Sequence, residues 1–356
     1  MIYVPMLKNR SIEMNIIRDF TQHKLWGPFI IPLIELVQEK TKTNAKATTI
    51  EELTKLISTS NQKMFIDFYH STRINNTQQS IKEYLAKINR STEFHLQEME
   101  KFKEVNQCVI PVVSYLPESP LDATTKQIKR DSSTLKNLYP TLAFRIRSSN
   151  FNDLMPSLKP LMNKNDFLLL DIGNASYSNP VFNKTWTELL KFGKDTNTRT
   201  IILNDNRPST LYNKNMNNNE PIPEIDNGLR DFFQFKHFDG FGDYAGITSA
   251  LPSTGGSISP TGVYYSKEYN CFIAYRGKAN KLSEFPDTIA PNIYNSEYWK
   301  EFSDEHHQKC PGCMNIARIL DKDNDFTGKS QAIWKGIEIS HYIYSIAEYM
   351  QSINKK

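Results

Sequence analysis

Cysteine is scarce: Cys108, Cys271, Cys310 and Cys313 are the four in 356 residues, and they form no regular framework. A structural disulfide is therefore not expected, and the opening MIYVPMLKNR lacks the apolar stretch of a secretory signal, so the expected compartment is cytoplasmic. No run approaches the roughly eighteen consecutive apolar residues of a membrane span, so no membrane partner is expected. Charge blocks are missing too, since 43 Lys and Arg are scattered among 39 Asp and Glu for a net charge of +4. Nucleic acid is thus not the expected partner, because counterion release needs one clustered basic face. The short pieces KQIKR (126–130) and the terminal NKK read as solvated helix faces. Motifs for common chemistries are lacking as well: there is no Gly-rich phosphate loop, nucleophile elbow or H-E-x-x-H, and STGGS at 253–257 reads better as a flexible loop than as an anion nest.

Apolar material is ample, with 39% hydrophobic and 12% aromatic residues against 23% charged, so the chain should bury a core. Eight short apolar runs recur, at 2–8, 29–36, 63–69, 108–115, 141–147, 166–173, 199–206 and 237–246. The segments between them carry helical patterns, among them SIEMNIIRDF from Ser11, a capping box between Thr49 and Glu52, and another between Ser80 and Glu83. Near-continuously apolar strands that alternate with helices predict a parallel sheet covered by helices, and a count of eight favours an α/β, (β/α)8 TIM-barrel-like fold over an open sheet. After the eighth strand, VYYSKEYNCFIAYRG predicts a β-hairpin with its turn near Lys267 to Asn270, and residues 330–356 predict a long helix. The expected organisation is a barrel of 1–250 plus 330–356, with 251–329 inserted as hairpin and loop. The Asn-rich YNKNMNNNEP is expected to be mobile.

Barrel enzymes carry their chemistry at the C-terminal ends of the strands. There the sequence places Lys8, Glu35, Asp67, Tyr115, Arg145, Arg147, Asp171, Asp205 and Asp243. Alternation lets many of these point inward together: Asp171 shares a face with Phe167 and Leu169, and the two arginines of FRIR share one face. The functional reading is a site with Glu35, Asp67, Asp171, Asp205 and Asp243 as acid, base or ligands to a divalent cation, and with Lys8, Arg145 and Arg147 clamping an anionic group. The bland reading is that barrel mouths are polar anyway and that pairs such as Arg145 with Asp171 are internal salt bridges. His70 and His237 flank strands without lining the mouth, so histidine is not the expected base.

The pieces MIYVPMLKNR, PLIE, FRIR, LLLDIG, FGDYAG, VYYSKEYNCFIAYRG and IWKGIEISHYI, in this order along almost the whole chain, resemble the "beta protein" family of bacteria and their phages. The resemblance implies a barrel and a setting of phage–bacterium conflict, without a specific reaction. It points to Arg145, Asp171, Asp243, Tyr244, Arg276, Trp334 and His341, of which Tyr244, Arg276 and His341 join the ligand-binding candidates. Family members often pair two histidines in the last helix, whereas this chain has His341 alone there.

DEHHQKCPGC (304–313) looks like a metal site, with His307, Cys310 and Cys313 as candidate zinc ligands beside His306, and Cys271 available to complete the set. Pro311 and Gly312 also make an inert turn over two packed thiols, which is the preferred reading, and thiol redox is a third. Two function classes follow. One is a metal-dependent barrel hydrolase or lyase acting on a phosphorylated or carboxylated molecule. The other is a recognition module of antiviral defence or of a phage that binds a protein partner or phage component, with Tyr264, Tyr265, Tyr275 and Trp299 as anchors wherever they are exposed.

Overall fold

The computed structural model describes residues 1–39, 47–71, 77–251, 258–322 and 325–355. The STGGS stretch at 253–257 lies outside the described residues. Each of the eight apolar runs forms a strand: β1 (Ile2–Lys8), β2 (Leu33–Leu36), β3 (Met64–Phe68), β4 (Val109–Val113), β5 (Ala143–Arg147), β6 (Phe167–Asp171), β7 (Arg199–Leu203) and, after the two-residue β8 (Glu220–Pro221), β9 (Gly240–Asp243). Pairing runs β1-β2-β3-β4-β5-β6-β7-β9 and returns to β1, all parallel, so the sheet is a closed barrel. The strands are buried along nearly their whole length, which is why they read as continuous apolar runs. The run at 29–36 yields only a bridge between Ile30 and Tyr3 before β2, because Pro32 has no N–H to continue the ladder.

Helices fill the intervals as the patterns predict, from Ser11–Gln22 to Leu229–Phe235. The first expected capping box sits one residue earlier. Glu51 N–H donates to Thr48 Oγ1 at 3.2 Å, while the Glu51 carboxylate accepts from Thr48 N–H at 2.7 Å. The second is not formed, because the helix Gln79–Arg90 starts before Ser80 and carries no side-chain cap. At the barrel seam a Cβ on Gly240 would lie 2.1 Å from the Ile2 carbonyl oxygen, so β9 reaches β1 only with a bare backbone there.

Contacts divide the chain into two compact units. The first holds the barrel, essentially Met1–Asn204 with Leu229–Asp243. The second holds Asp205–Gly228, Tyr244–Ala250 and the described residues from 258 onward. Its hairpin, β10 (Thr261–Ser266) with β11 (Cys271–Arg276), is antiparallel as expected. Two departures concern this unit. The Asn-rich stretch expected to be mobile supplies β8 as a third strand, with Ile273 opposite Pro221, and buries Met216. The C-terminal helix Gln331–Asn354, expected to return to the barrel, packs along β10 and the helix Pro311–Leu320. Its Trp334 and Ile337 join Tyr264, Phe285 and Ile316 in one apolar cluster, and this burial fixes its place.

Candidate functional site

Register builds the barrel mouth. Lys8 lies opposite Glu35 and Glu35 opposite Asp67 across β1, β2 and β3, while Arg147 lies opposite Asp171 across β5 and β6. Paired residues on neighbouring strands share a face, so these side chains converge. Arg145, two residues before Arg147 and on the same face, is their hub. Its Nη1 donates to Glu35 Oε1 and to Asp67 Oδ2, both at 2.8 Å, and its Nε donates to Asp171 Oδ2 at 2.8 Å. Lys8 Nζ stands 3.7 Å from Glu35 Oε2, and Arg147 Nη1 stands 3.0 Å from Asp171 Oδ1. Three buried carboxylates thus face three cations.

Two of the carboxylates are held further. Asp67 Oδ1 accepts from Ser114 Oγ at 2.5 Å and from Phe68 N–H at 2.7 Å. Gly173 N–H, in the turn after β6, donates to Asp171 Oδ1 at 2.8 Å. Burial raises the carboxyl pKa of Asp67 despite Arg145 beside it. For Asp171 burial acts in the same direction, but Arg145 and Arg147 together overcome it and hold the carboxyl below its usual range. Arg147 differs from the rest in keeping 37% of its side chain exposed. Among the described residues, its guanidinium has a protein partner at Nη1 alone.

Two expected members of the ring stand apart. Asp171 pairs with Leu203 and Leu203 with Gly242, so Gly242 holds the inward position on β9 and Asp243 falls on the opposite face. There Asp243 accepts from Tyr3 Oη at 2.8 Å, beside the Tyr3–Phe241 ring contact. Asp205 lies beyond β7 and accepts from Ser249, through its N–H at 3.1 Å and through its hydroxyl. Tyr115 supports the site, its hydroxyl accepting from Arg147 N–H at 3.2 Å.

In the second unit Cys310, Cys313 and His341 come together with His306, every ligand atom lying within 4.8 Å of the others. His307, the histidine picked from the sequence, instead stacks on Trp299 with ring centroids 4.1 Å apart. Cys271 lies outside the group as well.

A family model described as Beta protein matches residues 3–348. The chain belongs to the Beta protein family. No curated protein matches it in sequence. Among solved structures, the chain is similar to a mutant tryptophan synthase alpha-subunit from Pyrococcus furiosus, at 9% identity and a TM-score of 0.38 over 68% of this chain and 86% of that one. It is likewise similar to a D-allulose 3-epimerase from Methylomonas sp., at 9% identity and 0.39 over 68% and 84%. A b-glucuronidase from Ruminococcus gnavus matches at 13% identity and 0.40, over 72% of this chain and 44% of that chain.

Of the positions to which the Beta protein resemblance pointed, Arg145 and Asp171 meet at the barrel mouth. Tyr244 is buried in the second unit. Arg276 ties the Asn-rich stretch to β11, its Nη1 donating to the Met216 carbonyl at 2.9 Å and its N–H to Asn218 Oδ1 at 2.7 Å. Trp334 donates its indole N–H to the Gly328 carbonyl at 2.9 Å. The expected anchors Tyr264, Tyr265, Tyr275 and Trp299 are all buried, so they form core rather than a docking face. Sequence reasoning missed Ser114, and it named His306 beside the candidate ligands but chose His307. Ser114 sits where β4 ends, between apolar β4 and Tyr115, so its place among strand-end polar residues was the available signal.

Proposed function

We propose that this Beta protein is a recognition barrel of phage–bacterium conflict that binds an anionic ligand, a phosphate- or carboxylate-bearing molecule or partner segment, at the strand ends around Arg147. The observation that carries this reading is the half-exposed guanidinium of Arg147, oriented by Asp171 through one nitrogen. A planar donor set held in place from behind suits bidentate capture of an oxyanion. The setting of conflict rests on the family resemblance.

The hydrolase reading has less support. A divalent cation would need the oxygens of Glu35, Asp67 and Asp171, and the guanidinium of Arg145 already stands among them. A general base needs a carboxylate able to reach a substrate, whereas these three are almost fully covered.

The test is thermal denaturation of the full chain against a panel of inorganic phosphate, nucleotides, sugar phosphates and di- and tricarboxylates, with wild type beside Arg147→Gln. A true ligand at 100 times its Kd stabilises by about 2.7 kcal/mol, and the substitution should abolish that shift. Phage plating on cells carrying either form reads the biological arm, where Arg147→Gln should lose any protection. If no anion shifts the wild type and plating is the same for both forms, the reading fails.

A further inference from the structure

We infer that His306, Cys310, Cys313 and His341 form a closed zinc site that pins three helical elements of the second unit together. His306 lies in the helix Asp304–Lys309, Cys310 at its junction with the helix Pro311–Leu320, Cys313 in the first turn of that helix, and His341 midway along the C-terminal helix. All four are buried.

The two edges from His341 match the metal, and the other ligand atoms lie within 4.8 Å of one another. With Zn–S about 2.3 Å and Zn–N about 2.05 Å, a tetrahedron has S···N edges of about 3.6 Å. His341 Nδ1 lies 3.5 Å from Cys310 Sγ and 3.5 Å from Cys313 Sγ.

The outer bonds fix which nitrogens face inward. His341 Nε2 is 3.1 Å from the Tyr265 carbonyl, which can only accept, so Nε2 carries the hydrogen and the lone pair of Nδ1 points at both sulfurs. His306 Nδ1 is 2.8 Å from the Glu348 carboxylate, the outer partner typical of a metal-bound imidazole. His306 Nε2 is then buried with no hydrogen-bond partner, a cost that a metal bond removes. A metal-free network satisfies these atoms poorly, because two thiols compete for the one lone pair of His341 and Cys310 would have to serve His306 as well. The Tyr264 hydroxyl, 3.7 Å from Cys313 Sγ, is placed to donate to a thiolate.

The intervening residues fit the same purpose. Pro311 occupies the first turn of its helix, where its missing N–H costs nothing. A Cβ on Gly312 would lie 2.7 Å from the Ile337 carbonyl oxygen and from His341 Cβ, so only glycine lets the Cys-x-x-Cys turn approach the C-terminal helix closely enough for both sulfurs to reach His341. Redox exchange fits less well, since both sulfurs are closed to a partner thiol. Four protein ligands and no open position make the site structural rather than catalytic. Binding of the ion would release the two thiol protons.

The test uses the full chain purified without chelator or affinity metal. Elemental analysis should find one zinc per chain, and a mercurial thiol reagent should release it into a colorimetric zinc indicator in step with two modified thiols. Cobalt exchanged into the wild-type protein should give the intense visible bands of a tetrahedral ion and a near-ultraviolet thiolate charge-transfer band, a readout independent of whether any variant folds. Cys310→Ser with Cys313→Ser should lose the zinc, while His307→Gln and Cys271→Ser should keep it. Zinc far below one per chain together with no tetrahedral cobalt spectrum would overturn the assignment. So would full zinc in the double serine variant, or a Cys310–Cys313 disulfide in the protein as isolated.

Discussion

Replacing Arg145 by methionine tests the barrel mouth most directly, because the flat apolar stem is kept while the one group shared by Glu35, Asp67 and Asp171 is removed. The native mouth sets three carboxylates against Lys8, Arg145 and Arg147, and the substitution leaves three against two in a buried space. Breaking a buried ion pair by deleting one partner costs about 3–5 kcal/mol, because the other charge is left uncompensated. The value expected here lies in that range at pH 7, a large share of the roughly 5–15 kcal/mol that holds a domain folded. The sign of its pH dependence follows from linkage. Burial already raises the Asp67 carboxyl, and with the cation gone its folded-state pKa rises further above the unfolded value near 4, so stability is lost as pH rises through it and regained as pH falls. Urea unfolding followed by circular dichroism at pH 7 and pH 5 should therefore show the deficit of Arg145→Met shrinking at the lower pH. Adding Asp67→Asn to the same chain should restore part of the loss, since one surplus charge is then gone. A deficit below about 1 kcal/mol, equal at both pH values, would refute the hub.

Three further outcomes are expected. Gly240→Ala would set a Cβ 2.1 Å from the Ile2 carbonyl oxygen at the barrel seam, a backbone clash that should cost at least the upper end of about 1–3 kcal/mol in urea unfolding. A variant as stable as wild type would show that β9 does not close on β1 as described. Glu338 is pushed up to about 7 by burial, against the pull of Arg207 at 3.2 Å. Its raised folded-state pKa contributes stability below pH 4.5 that is lost as pH rises through 7, so wild type should weaken relative to Glu338→Gln by about 3 kcal/mol between pH 4.5 and 8.5. Parallel stability curves for the two proteins would refute this. Gly262→Val should unseat β10, since even a Cβ there would meet Ile289 at 2.6 Å and Trp334 at 2.9 Å, and near-ultraviolet dichroism from the displaced Trp334 reads the change. An unchanged spectrum would contradict that packing.

The barrel was legible because its strands are covered on both faces and separated by amphipathic helices, so each of the eight runs announced itself. Sequence placed Lys8, Glu35, Asp67, Arg145, Arg147 and Asp171 together for the same reason: period-two alternation and strand ends are local properties. Asp243 was misplaced where that signal fails, in GFGD, whose two glycines carry no side chain to mark which face is inward. The choice of His307 over His306 has a similar cause. Neighbours in a six-residue helix point about 100° apart, and nothing within DEHHQK says which direction is core. His341 lies 31 residues from Cys310, so no spacing rule connects them. The four aromatics were anchors only if exposed, and the packing alternative holds: Tyr264 packs on His341 and Phe302 while its neighbour Tyr265 packs on Phe272 and Tyr342.

The charge balance of the mouth bears on the sign of what it can bind. A cationic ligand would have to displace Arg145 from three carboxylates at once, losing hydrogen bonds of 2.7 to 2.8 Å that a hydrated ion replaces poorly. An anion needs no such displacement. It can meet the exposed side of Arg147 while Asp171 keeps Nη1 in place, and Asp171 in turn stays fixed by Arg145 and by the Gly173 N–H. On the proposed anion-binding reading Arg145 and Arg147 divide the work, the first neutralising the buried carboxylates so that the second can present its charge outward. Arg147→Gln should then weaken anion binding with little loss of stability, since its pair is half-exposed, whereas Arg145→Lys should do the reverse: a compact ammonium cannot span three carboxylates, yet the surface-facing guanidinium remains. If both variants lose stability and binding in equal proportion, the mouth is one undivided network.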